Sequence, residues 1–223
     1  MNVILSNYFT SKPDPQRGTV WNSNDLKIIE SWYLSIIKLK LNAVIFHDHC
    51  SDYFIRQLTT DKISFVYYEP KGDIMNAKFR CFYNHILNSK YSKIFCTDIS
   101  DVIVMKDPFP LIKDDSLICG SEEKRIGEGA FMREVQRRIF NKISYKDKRL
   151  LNCGIIGGYM DVILGVLRKM VISFNKTGDR MNSCMAVFNH VIYNNGIKIT
   201  TGSEIHSVFG AEETEGNFYF KHK

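Results

Sequence analysis

Short runs of β-branched and aromatic residues alternate with stretches whose apolar residues recur at helical spacing, and this alternation restricts the chain to an α/β architecture. Val3-Ile4-Leu5 reads as a first strand, and Leu26, Ile29, Trp32, Tyr33, Ile36 and Ile37 mark a helix behind the N-cap candidate Asp25. The pattern continues with a strand over 42–47, a helix over 53–58, a strand over 63–68 and a helix over 76–88. The segment 91–97 is the most strand-like of all, and Val102 to Met105 follows closely behind it. Beyond it come a strand over 116–120, a helix over 129–143, a glycine-rich stretch over 150–158, helices near 161–174 and 182–195, and a strand over 197–200. No repeat or linker divides the 223 residues, so a single domain over 1–223 is expected.

Composition narrows the function classes. With 44% hydrophobic and 24% charged residues, the chain can bury a sizeable core and is not intrinsically disordered. No window reaches the roughly 18 consecutive apolar residues of a membrane span, so none is expected. The apolar run at the N-terminus is too short for a signal peptide and reads as part of the fold. Six cysteines stand apart with no C-x-x-C pair, which predicts reduced thiols and a cytoplasmic location. A net charge of +6 favours an anionic ligand. The basic stretch 124–149 is interleaved with glutamate and reads as a solvated face, so no nucleic-acid partner is expected.

The strand over 91–97 ends in Asp98-Ile99-Ser100-Asp101. In open α/β sheets ligands bind outside the carboxyl ends of the strands, so these carboxylates face the crevice where a substrate would lie. Two acids this close to a buried strand need neutralising. Mg²⁺ or Mn²⁺, completing its shell with substrate phosphates, would do so; equally, Asp98 could cap a turn while Asp101 pairs with a lysine. His47-Asp48-His49 with Cys50 has metal-binding residue types, but without a second cluster it reads as a strand-end loop.

The run Tyr91-Ser92-Lys93-Ile94-Phe95-Cys96-Thr97-Asp98-Ile99-Ser100-Asp101-Val102-Ile103-Val104-Met105-Lys106-Asp107-Pro108-Phe109 resembles the strand, acidic motif and D-P-F turn of GT-A-fold nucleotide-sugar glycosyltransferases. Asn152-Cys153-Gly154-Ile155-Ile156-Gly157-Gly158 is similar to the family's N-x-G-x-x-x-G segment, and the likeness runs in order through His222-Lys223. It implies a mixed, mostly parallel sheet flanked by helices, with a nucleotide-binding half over 1–105 and an acceptor-binding half over 106–223. It also implies a hexosyl- or pentosyltransferase that uses Mn²⁺ or Mg²⁺ to move sugar from a nucleoside-diphosphate sugar, a UDP-sugar by preference, to a glycan hydroxyl. Asp98, Asp101 and His222 would hold the metal, with Ser100 an alternative because the motif is D-x-x-D rather than D-x-D. Asn7, Tyr8, Lys78, Arg80, Asp98, Asn152, Gly154 and Lys223 would bind the donor. Tyr8 would stack on the base, and Arg80 is preferred to Lys78 for the diphosphate. Asp179 is the candidate catalytic acid, since Cys184 stands where related enzymes carry one. The chain also looks like the transferases that large DNA viruses of algae carry for capsid glycans, which would place it in host cytoplasm. The rivals are a sugar-1-phosphate nucleotidyltransferase, though a G-x-G-x-R-type loop is absent, and a non-catalytic nucleotide- or RNA-binding module.

Overall fold

The computed structural model describes residues 1–14, 18–178, 182–208 and 216–222. Its first half repeats strand and helix: β1 (Val3–Tyr8), α1 (Leu26–Leu39), β2 (Ala43–His47), α2 (Asp52–Leu58), β3 (Ile63–Tyr67), α3 (Ile74–Leu87) and β4 (Lys93–Thr97). The helix starts carry side-chain caps: Asp25 accepts from the Lys27 N–H, Ser51 from Phe54, and Asp73 from Met75 and Asn76. Next come β5 (Val102–Val104), a 3-10 turn over Phe109–Leu111, β6 (Leu117–Arg125), α4 (Ala130–Phe140), β7 (Arg149–Tyr159), α5 (Met160–Thr177), α6 (Cys184–Asn194), β8 (Ile199–Thr200) and β9 (Phe220–His222).

Seven strands form one sheet in the order β3-β2-β1-β4-β7-β6-β8. The pairs β3·β2, β2·β1, β1·β4 and β6·β8 are parallel, whereas β7 runs antiparallel to both β4 and β6. The sheet is therefore mixed and mostly parallel, as expected from the sequence. One face is covered by α3, α5 and α6 through residues such as Phe79, Phe82, Phe174 and Phe188. The other is covered by α1, α2 and the small β5·β9 sheet through Trp32, Phe54, Val102 and Phe220. No helix among the described residues is long and apolar enough to cross a membrane.

The glycine-rich stretch forms most of β7, a buried strand of eleven residues. Gly157 sits opposite Phe95 on β4, and a Cβ there would lie 2.1 Å from the Phe95 ring. The missing side chain thus makes room for an aromatic that also packs against Phe109 at 5.8 Å and Phe220 at 5.2 Å.

Candidate active site

The carboxyl end of β4 is held from two sides. Ser6 on β1 donates its hydroxyl to the Thr97 carbonyl at 2.7 Å, and the Trp32 indole N–H on α1 donates to Thr97 Oγ1 at 2.9 Å. The chain then leaves the strand, with the Asp98 N–H donating to the Gly154 carbonyl at 2.8 Å. Asp101 immediately precedes β5, whose Val102 pairs with His222 of β9, so an imidazole from far along the chain arrives beside the acidic turn. One ligand atom from each of Asp98, Asp101 and His222 lies within 4.8 Å of the others.

Burial pushes the His222 imidazole down to about 4, against the attraction of Asp98. A neutral imidazole keeps a lone pair for a cation near neutral pH. Two carboxylates and one such imidazole suit a divalent ion that accepts oxygen and nitrogen. Gly154 supplies the space: a Cβ there would lie 2.6 Å from Asp98 Oδ2 and 2.8 Å from His222 Cε1. The donor set and its clearance fit the metal implied by the sequence.

Lys78 on α3 reaches into the same pocket, 3% exposed, with Nζ 2.5 Å from Asp98 Oδ1. Burial alone would discharge this ammonium, but the Asp98 carboxylate outweighs it and holds the lysine charged. Around the acidic turn the pocket is thus lined by the carboxylates of Asp98 and Asp101, the buried Lys78 ammonium and the neutral His222 imidazole. Asn7 at the end of β1 and Asn152 on β7 line it too, the Asn152 Oδ1 accepting from the Gly154 N–H at 2.8 Å.

Two expected donor contacts are not formed. Tyr8 is fully buried, its hydroxyl donating to the Asn22 carbonyl and also lying 3.2 Å from that of Asp25, so its ring presents no open face to a base. Tyr8 closes the core, and Trp21 stacks beside it at 6.3 Å while lining the pocket. Arg80 points away: its Nη2 donates to Asn175 Oδ1 at 3.1 Å and its guanidinium lies over Phe174. Residues two apart on a helix face opposite sides, and α3 turns Lys78, not Arg80, toward Asp98. Asp179 and Lys223 lie outside the described residues.

Sequence reasoning missed Lys12 and Trp21, which line the pocket from the polar segment after β1. That segment has no periodicity to read. Asp48 shapes its start, accepting from the Thr10 N–H at 2.8 Å and the Ser11 N–H at 3.0 Å. Burial would raise the Asp48 pKa, but these hydrogen bonds hold it below the usual carboxylate value. His47-Asp48-His49 therefore serves as a strand-end loop.

Two thiols complete the pocket wall, Cys153 of β7 and Cys184 at the start of α6. Interaction with the neighbouring Cys184, together with burial, raises the Cys153 pKa. The same interaction, helped by the nearby Lys78 ammonium, lowers that of Cys184 despite its burial.

No protein-family model matches the sequence, and no curated protein matches it. Among solved structures, the chain is similar to the galactosyltransferase LgtC, determined in complex with donor and acceptor sugar analogues. The TM-score is 0.60 at 12% identity, over 100% of this chain and 86% of that one. An identity this low carries no residue roles across, but the sheet and its helices are shared: the chain has the GT-A glycosyltransferase fold.

Proposed function

We propose that the chain is a metal-dependent glycosyltransferase, moving a hexosyl or pentosyl group from a nucleoside-diphosphate sugar, with UDP-sugars favoured, to a hydroxyl of a glycan acceptor. The observation that carries this reading is the convergence of Asp98, Asp101 and His222 beside the buried Lys78 ammonium at the end of β4. It stands on a fold shared with a protein solved with donor and acceptor sugar analogues.

In this reading Asp98, Asp101 and the neutral His222 hold Mn²⁺ or Mg²⁺. The bound cation would supply positive charge to the diphosphate as the sugar leaves. Lys78 adds a fixed ammonium on the same side, and its ion pair with Asp98 keeps it charged and aimed before substrate arrives. Asn7 and Trp21 line the end of the pocket nearest β1, where the open Trp21 ring replaces Tyr8 as the surface for a base. Asn152 and the backbone of Gly154 receive the sugar from β7. Asp179 is the acid assigned from the sequence to the transfer itself, and Asp179→Asn tests it separately.

The test is a thermal-shift panel of UDP-, GDP-, dTDP- and CMP-sugars with and without Mn²⁺, since a ligand of the native state raises its stability by mass action. The expected result is a shift requiring both Mn²⁺ and one nucleotide, absent in Asp101→Ala and in Gly154→Ala, whose new methyl would occupy the ligand cluster. No shift with any pair would overturn the reading.

A further inference from the structure

The net charge of +6 is not spread over the molecule. Residues 124–149 hold nine lysines and arginines against Glu128, Glu134 and Asp147, and the rest of the chain balances at 21 charges of each sign. Seven of the nine, including Lys124, Arg125 and Arg149, are exposed, and among the described residues no salt bridge neutralises any of these seven. Arg125 at the end of β6 pairs directly opposite Arg149 at the start of β7. Like charges facing each other across antiparallel strands repel, so this pair costs stability unless an anion lies against it. A cleft of about 420 Å³ opens beside it, lined by Lys124 and Arg149 together with Ser121, Glu122, Glu123 and Ser203. Successive strand residues normally point to opposite faces, but the β6·β7 register shifts between Ser121 and Arg125, which turns residues 121–124 into one wall. The facing wall is fixed by hydrogen bonds and adjoins the candidate active site. There His206 accepts from the Ser121 N–H at 2.9 Å through Nε2, and the Ser207 hydroxyl accepts at 2.8 Å from the N–H of His222, the imidazole beside Asp98 and Asp101.

We propose that this cleft and the basic face around it bind an acidic glycan, the acceptor of the transfer, with sugar hydroxyls in the cleft and carboxylates on the arginines. The lining is divided as such a ligand needs. Glu122, Glu123 and Ser203 offer oxygens to hydroxyl donors, whereas Arg125 and Arg149 present planar forks that match a carboxylate, and Lys124 adds a point charge. A nucleic acid would press its continuous phosphate charge against the two glutamates. Among the described residues no Phe, Tyr or Trp lines the cleft to stack on its bases. A bilayer surface is flat, whereas the polar groups here sit in a concavity. Calling the ligand the acceptor rests on the glycosyltransferase reading; its binding does not, because neither metal nor nucleotide takes part in it.

The experiment is fluorescence anisotropy of a labelled oligogalacturonate, which carries a carboxylate on every sugar, titrated with the full metal-free chain beside a labelled neutral maltooligosaccharide of equal length. The acidic probe should bind, more weakly as salt rises, and the neutral one at least about tenfold more weakly. Arg125→Gln/Arg149→Gln should weaken binding of the acidic probe about tenfold, and its melting temperature should not fall, since a repulsion is removed. Lys142→Gln/Lys148→Gln removes the same charge from the same segment outside the cleft and should weaken binding about twofold or less. Equal losses in the two double variants would reduce the effect to net charge and overturn the proposal. So would equal binding of the neutral sugar, no binding of the acidic one, a lower melting temperature in the arginine variant, or tighter binding of single-stranded RNA or phosphatidylglycerol vesicles. The nucleotide-sugar panel contains no acceptor glycan, so a failure there leaves an acidic-glycan site without a donor, and a failure here leaves the transfer reading standing with another acceptor.

Discussion

Asp98 and Lys78 are partners of unequal burial, and the inequality decides what each substitution does. The Lys78 side chain is 4% exposed and that of Asp98 25%. Asp98→Asn strands an ammonium in the core, at a cost of about 3 kcal/mol. Lys78→Met leaves a carboxylate that water still reaches and replaces the charge with an apolar chain of similar length, at a cost of about 1 kcal/mol or less. Urea denaturation of the metal-free variants should show this order, and equal losses would mean that the pair is not the main partner of either group. At this scale the acidic residues were legible because a strand ending in two carboxylates is a local pattern. Tyr8, Arg80 and Trp21 were misjudged or missed because the direction of a side chain at a strand end, or in an aperiodic loop, is set by packing that the local sequence does not record.

β9 is only three residues long, yet it places the imidazole that stands beside Asp98 and Asp101. Phe220 and His222 lie on the same face of it. Phe220 is fully buried against Phe95, beneath the site, and Val104 pairs with it just as Val102 pairs with His222. The aromatic thus anchors a strand too short to hold its place by backbone pairing alone. Phe220→Ala should lower stability by about 3 kcal/mol. It should also weaken Mn²⁺ binding roughly tenfold, although Phe220 is not among the three proposed ligands. Calorimetric titration of Mn²⁺ on the folded variant separates the two effects, and an unchanged affinity would show that β9 is held by its other contacts. The sequence pattern reads helices and parallel strands well here, because each is local. It assigns no element to the glycine-rich stretch of β7, since glycines that carry no periodicity in one dimension are clearance for Phe95, Asp98 and His222 in three.

The whole molecule has a common acid sensitivity. Burial holds His47, His85, His190, His206 and His222 below the ordinary imidazole value. Each is neutral in the folded chain and takes a proton more readily once unfolded, so its contribution is complete above the unfolded value of about 6.5 and is lost as pH falls. For His222, a drop from 6.5 to about 4 corresponds to about 3 kcal/mol once the pH is below both values. Asp48, held below the usual carboxylate value, acts in the same direction at lower pH. Glu122 opposes them: burial raises its pKa, so its contribution is present in acid and lost as pH rises through the folded value. Five histidines outweigh one glutamate, and the melting temperature of the metal-free chain should fall steadily from pH 7 to pH 4. Charge repulsion in a chain already carrying +6 would act the same way but is screened by salt, whereas the desolvation of buried imidazoles is not. Repeating the melts at high salt separates the two causes. A slope that survives salt and becomes shallower in His222→Gln assigns the acid sensitivity to the buried imidazoles; a slope abolished by salt assigns it to net charge.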